Sequence, residues 1–543
     1  MSVAEKLKAQ FPDTVYTALV PPDRHPGFNY KGFHPGRVTW LRRGHVKEPG
    51  YQAFPVDVTW EEDQAIPMRD GVKLYADIFR PADESEKVPA IIPWSPYGKV
   101  GTSTLNYDNM GAWRIGIPYQ NLSGYETFEE AVDIYDTISW IAEQPWCNGS
   151  VVMAGNSWLA ISQLNFASRF QHPNLKAIAP WEGLTDLYDH QICRGGIPKP
   201  AFGELILRGF AGVGKAENIS AMVKSRPLFD EYWKEKQIKP EDIKDIPMYL
   251  TASYSTGLHC EGSFRAFELA QTSRKWLRVH STQEWHDLYR REATDDLQRF
   301  YDYYAKGYDG SITKTIVERP EEQWPPAQQH IRRYYLDAAT QSFSAVKPVD
   351  SASIAHEGHS LTASSDFTLT FDKYTELCGR PFVKLYMSSN VKDDFDVVVQ
   401  IRKVSVSGEL LESLNWSPMP APGPKVPNVN VVKHLGQQGM LRASHHVSLQ
   451  PRASEDDVPV YDHRSREAIT PGEIVPLLIP IWPLGVVFEA GEGLMLRISG
   501  HDMSLPEAES LRLTAPVDDN EGQHTVYTGG EYESYLAIPV IKG

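Results

Sequence analysis

Val151-Val152-Met153-Ala154-Gly155-Asn156-Ser157-Trp158-Leu159-Ala160 is the stretch on which the reading of this chain turns. Its first four residues form an apolar run of the kind buried as a strand, and Gly155-Asn156 breaks it. From 159 to 170, Ile161, Leu164 and Ala167 recur on one side of a predicted helix. A serine at a sharp bend between strand and helix is a nucleophile elbow. The bend needs small neighbours because the serine is held in a strained conformation. That conformation pushes Oγ out at the carboxyl end of the sheet. It also sets the N–H of Trp158 at the start of a helix, placed to donate to an oxyanion. The usual pattern is G-x-S-x-G, whereas Leu159 fills the last position here. A serine that only caps a helix gives similar letters, so the strand before and the helix after carry the reading.

Outward from the elbow, 89–94 is a short apolar strand. In 126–143, Val132, Tyr135, Ile138 and Ile141 share one helical stripe. Strands follow at 175–179, 248–251 and 276–279, with helices at 263–271 and 297–304. Strand–helix alternation from about 90 to 300 predicts an α/β core with a mostly parallel sheet covered on both faces. Residues 183–245 interrupt it with Gly195-Gly196, Gly209, Gly212 and Gly214, and read as an inserted helical cap. Upstream, 56–80 alternates about a turn at Asp70-Gly71. Residues 1–55 read as an irregular arm. Beyond 320 the helical stripes end, and short β-rich runs separated by Pro/Gly loops predict an all-β sandwich or jelly roll to residue 543. The expected division is arm 1–55, core 56–182 and 246–320, cap 183–245 and β-domain 321–543.

Composition narrows the function. The 543 residues carry 54 basic and 70 acidic side chains, a net charge of −16, which argues against a phosphate backbone as partner. No run approaches the about 20 apolar residues of a membrane span, and the N-terminal residues lack a secretory signal's build. Cys147, Cys193, Cys260 and Cys378 form no CxxC pair, so a reduced, cytoplasmic setting is expected, with no cysteine-built metal site.

A second element, Trp94-Ser95-Pro96-Tyr97-Gly98-Lys99, follows a core strand where such folds bring the other half of the oxyanion hole. Together with Arg69-Asp70-Gly71-Val72-Lys73-Leu74, the run Asp136 to Gly149 (DTISWIAEQPWCNG) and the elbow, it resembles the cocaine-esterase and X-prolyl dipeptidyl aminopeptidase (S15-like, CocE/NonD) family of α/β-hydrolases. The family elbow is G-x-S-Y-x-G; Trp158 replaces its Tyr and Ala160 its last Gly. Gly379-Arg380-Pro381-Phe382, Leu441-Arg442-Ala443-Ser444-His445 and the run Pro483 to Gly491 resemble its C-terminal jelly roll. The likeness spans about residues 56–505. It implies ester or amide hydrolysis through Ser-His-Asp, with Tyr97 and the N–H of Trp158 holding the oxyanion.

The pattern breaks at the acid. After the strand at 248–251 the sequence reads Ala252-Ser253-Tyr254-Ser255-Thr256-Gly257-Leu258-His259, and Thr256 stands where the family has Asp. Glu261 is the nearest replacement; Glu182 and Asp186 are others, from the end of the preceding strand. The base is His280 at the end of the last core strand, or His286 in Glu284-Trp285-His286-Asp287, with His280 preferred by likeness to one branch of the family. Trp94, His259 and Glu182 are assigned to the substrate pocket. The expected activity is a serine esterase or amidase passing through an acyl-enzyme on Ser157. The substrate is a small, apolar or aromatic ester or amide. No metal or organic cofactor, nucleic acid or membrane is implied, and a homodimer is allowed. The missing acid keeps open acyl transfer, C–C cleavage or cyclisation on the same scaffold. A noncatalytic ligand-binding protein is the reading from another class.

Overall fold

The computed structural model describes residues 9–25, 32–46, 53–96, 117–118, 128–281, 291–308, 320–411, 432–503, 505–506 and 520–541. The alternating run upstream of the core forms strands β1 (Tyr16–Ala18), β2 (Val38–Leu41), β3 (Val58–Pro67) and β4 (Lys73–Pro81). The last three make an antiparallel sheet. The β3–β4 hairpin turns at Asp70-Gly71, where Gly71 has φ 89°. It is tied down by Arg69, whose guanidinium and backbone N–H both engage Asp136.

The core follows the predicted alternation: β5 (Val88–Ile92), α1 (Phe128–Ala142), β6 (Cys147–Asn156), α2 (Trp158–Arg169) and β7 (Leu175–Trp181). After an excursion come β9 (Met248–Ser253), α6 (Cys260–Leu269), β10 (Lys275–His280) and α7 (Arg291–Lys306). Strand order is β10-β9-β7-β6-β5, all parallel. Side chains alternate across a strand. Val151 and Met153 therefore bury against Ile134, Ile138, Ile161 and Leu164 of α1 and α2. Val152 points the other way, into a cluster with Tyr249, Phe300 and Tyr301. With both faces covered, the strand reads as the unbroken apolar run seen in the sequence.

The excursion between β7 and β9 holds a π-helical turn at Tyr188–Ile192, α3 (Pro200–Gly209), β8 (Lys215–Glu217), α4 (Ile219–Ser225) and α5 (Glu231–Glu235). Here the sequence reading of an irregular arm needs correcting: β1 pairs antiparallel with β8, Tyr16 opposite Glu217. Asp13 bonds Arg226, Leu19 N–H reaches Gly214 O and Asn218 N–H reaches Val15 O. Residues 13–19 are held by partners some 200 residues away, which no local periodicity reveals.

From Gln329 to Ile541 the described chain is β-rich, built on one branched 13-stranded sheet, almost wholly antiparallel, around Phe367, Leu385, Val397, Ile479 and Leu496. It packs on the core directly. Arg380 lies between Glu261 and Glu268 of α6, and Arg194 stacks 3.5 Å over Trp482. Among the described residues no helix is long and apolar enough to cross a membrane.

Candidate active site

Ser157 sits between β6 and α2 with φ 58° and ψ −125°, a conformation that non-glycine residues rarely adopt. Its N–H is held by two carbonyls from the end of β7, Trp181 O at 3.2 Å and Glu182 O at 3.0 Å. Gly155 has φ 125°, and a Cβ there would come within 2.5 Å of the Leu159 side chain. This explains the departure from the glycine pattern: Leu159 folds its side chain over the bare backbone of Gly155. Trp158 opens α2, where the helix itself supplies no acceptor for the N–H and its dipole favours negative charge.

The half-buried hydroxyl meets an imidazole. His259, in the loop between β9 and α6, places Nε2 3.1 Å from Ser157 Oγ. It is 1% exposed, and burial pushes its imidazolium down to about 3, so at neutral pH the ring is uncharged and has a nitrogen able to accept the hydroxyl proton. A second pair lies at the same edge: His280 Nε2 is 2.7 Å from Glu182 Oε1, both side chains buried. Glu182 also has a left-handed φ, 53°. Gly183 beside it is pinned by Ser263 Oγ at the start of α6.

The expected site residues therefore separate. Ser157 and His259 are in contact, and His259, assigned to the pocket, occupies the place expected of the base. His280, the preferred base, is engaged by Glu182, the carboxylate at the end of the preceding strand. Glu261 is hydrogen-bonded to Arg380 instead. Arg380 and Arg265 draw its carboxylate into an ion network that joins α6 to the β-rich half and outweighs burial, holding it below the usual range. Thr256 turns inward and closes a local turn, its Oγ1 accepting from Leu258 N–H. Asp186 is occupied by Gln237. Tyr97 and His286 lie outside the described residues. Trp94 is fully buried rather than facing a pocket, because its indole N–H is bonded to Glu130.

Glu130 is a residue the sequence reading passed over. One oxygen of its carboxylate accepts from the indole of Trp94 at 3.1 Å and that of Trp158 at 2.9 Å. Burial pushes this carboxyl up to about 7 against the pull of both indoles, Asn165 and Arg169. A signal was present: Glu130 falls on the stripe of Ile134, Ile138 and Ile141, a carboxylate on an apolar face.

A cavity opens beside Ser157 Oγ. Ile161, Ile192, Phe202, Ile206 and Ile219 supply apolar walls, and Gln191 adds a polar group. Most of these side chains come from the excursion between β7 and β9, which thus roofs the serine.

Comparison with known proteins finds matches on two successive parts of the chain. A profile of the X-Pro dipeptidyl-peptidase (S15 family) matches residues 106–216, and one of the X-Pro dipeptidyl-peptidase C-terminal non-catalytic domain matches residues 296–537. The cocaine esterase of Rhodococcus sp. (strain MB1 Bresler) is 35% identical over 136 residues, 23% of this chain and 23% of that protein. The aligned stretch thus spans less than a quarter of that relative. A CocE/NonD family hydrolase from Staphylococcus aureus superimposes with TM-score 0.81 at 27% identity, over 97% of this chain and 100% of the other. An α-amino acid ester hydrolase shares the fold, with TM-score 0.62 at 15% identity over 89% of this chain and 96% of its own. With S15 and C-terminal-domain matches on successive parts of one α/β-hydrolase-plus-β chain, and a full-length counterpart among solved structures, the protein belongs to the CocE/NonD, S15-like family.

Proposed function

We propose that the protein hydrolyses small esters or amides with an apolar acyl part through a covalent acyl-enzyme on Ser157. The supporting observation is the 3.1 Å contact between Ser157 Oγ and His259 Nε2. His259 removes the hydroxyl proton as Oγ bonds the acyl carbon, and returns it to the leaving group as the old C–O or C–N bond breaks. The N–H of Trp158 and, by family likeness, the hydroxyl of Tyr97 hold the oxyanion. Water attacks the acyl-enzyme by the same route, releasing acid and regenerating Ser157. The apolar wall of Ile161, Ile192, Phe202, Ile206 and Ile219 favours an aliphatic or aromatic acyl group.

The Glu182–His280 contact at 2.7 Å favours a second reading in which this pair carries the proton and His259 only orients the hydroxyl. Incubation with a fluorophosphonate and intact-mass measurement tests the main reading. Wild type should gain one adduct, Ser157→Ala none. His259→Gln should label at least 100-fold more slowly, while His280→Gln should keep the greater part of the rate. The reverse order for the two histidines establishes the second reading, and an unlabelled wild type removes both. We also read the β-rich half as a jelly roll, on its long-range antiparallel pairings, and the four buried, unbridged cysteines as fitting a reducing, cytoplasmic setting.

A further inference from the structure

The geometry points to Glu130 as a positioning residue for the oxyanion donor at Trp158: a single oxygen of its buried carboxylate binds the indoles of Trp158 and Trp94, tying the residue after the nucleophile to the segment that follows β5. This rests on the acyl-enzyme reading of Ser157.

The two indoles come from different parts of the chain. Trp158 directly follows the nucleophile, and its backbone N–H is the donor at the start of α2. Trp94 opens the short segment Trp94–Ser95 that follows β5. The rings are 5% and 0% exposed, so each N–H needs a protein acceptor. Both find it in Glu130 Oε1, at 2.9 and 3.1 Å. Simple satisfaction of two indoles would be served by two backbone carbonyls. A carboxylate taken out of water is the costlier solution, and its charge-assisted bonds are stronger and more directional. The Trp158 ring is further fixed edge-on against Phe210, at 5.7 Å, and forms part of the cavity wall. A ring held at its nitrogen and its edge fixes its own backbone. An oxyanion donor must be held to within about 0.5 Å to be effective.

Glu130 does not touch the reacting atoms, so its removal should slow chemistry without weakening substrate binding. The experiment uses p-nitrophenyl butyrate and a fluorophosphonate on the full chain. Glu130→Leu keeps the volume and removes the acceptor; Glu130→Gln keeps an acceptor oxygen. For Glu130→Leu we expect kcat to fall about 10- to 100-fold, KM to stay within about twofold and adduct formation on Ser157 to slow by the same factor as kcat. Glu130→Gln should recover most of that loss. Trp158→Phe, which deletes the indole donor together with part of the ring, should lower kcat too, and adding Glu130→Leu to it should cost less than in wild type.

A folded Glu130→Leu protein with wild-type kcat and labelling rate overturns the inference, as does equal loss in the Gln and Leu variants. If Glu130→Leu does not fold, Trp158→Phe decides: undiminished kcat overturns the tether. An unlabelled wild type instead removes the acyl-enzyme reading, a distinct failure.

Discussion

The peptide N–H of Ser157 donates to the carbonyl of Glu182 at 3.0 Å, and both residues carry a left-handed φ, 58° and 53°. Two strained positions at the ends of neighbouring strands thus brace one another. Strain of this kind costs about 1–3 kcal/mol per residue and persists where its surroundings over-determine it. Here it aims the serine hydroxyl towards His259 and the Glu182 carboxylate at His280.

Glu182→Gln preserves the shape of the side chain and the backbone contact to Ser157 but removes the charge facing His280. On the main reading kcat for p-nitrophenyl butyrate should stay within about threefold of wild type, with the melting temperature shifted by only a few degrees, whereas a drop of about 10²-fold or more would put the Glu182–His280 pair in the proton path. Undiminished turnover would make the pair a structural one.

The protonation of His259 sets a pH limit on activity. Burial keeps the ring neutral until about pH 3, so the acid limb of kcat/KM should lie below about pH 5, well under the 6.5 of a free imidazole. Short incubations with the fluorophosphonate across pH 4–8 read this limb before acid unfolding intervenes. A limb at 6.5 or above rules out a buried neutral His259 as the base.

Arg380 is the clasp between α6 and the β-rich half, and its loss takes from Glu261 and Glu268 the cation they share. Arg380→Met should destabilise the fold by about 3–5 kcal/mol, seen in urea unfolding. Glu261→Gln should leave kcat within about threefold of wild type. A loss of 100-fold in that variant would restore Glu261 as a triad acid.

Acid should unfold the protein early. Burial is the leading cause that lowers His259 and His445 to about 3, and His356, His434 and His524 to about 4. Each depressed histidine gives stability that is whole above pH 6.5 and is lost as pH falls towards the folded value. Glu130, raised to about 7, opposes them, because unfolding releases its proton. Five histidines against one carboxyl give an uptake of about four protons on unfolding at pH 5. At about 1.4 kcal/mol per proton and pH unit, this makes a steep slope. Melting temperature measured from pH 7 to pH 5 should fall monotonically; a flat profile contradicts the burial of these rings.

The core was legible because its central strands bury both faces and its helices one, so runs and stripes survive in the sequence. Ser157 was legible for the same reason. The histidines were harder to place. A position after a strand tells which loop carries a residue, but β9 and β10 end side by side, and only side-chain direction distinguishes His259 from His280. Glu261 looked available because its partner, Arg380, lies 119 residues on. Glu130 stood out only as a carboxylate on an apolar stripe, and nothing local announces that two indoles converge on it.

The pairing of Tyr16 with Glu217 has a consequence for how the pocket comes into being. Ribosomal synthesis delivers β1 long before β8, so the early strand must wait, its edge unsatisfied, while about 200 residues emerge. Closing so large a loop carries an entropy penalty of about 5 kcal/mol, which only the finished partner recovers. The roof over Ser157 thus depends on a long-range closure, and a change that weakens β1 would act on the maturation of the enzyme rather than on its chemistry.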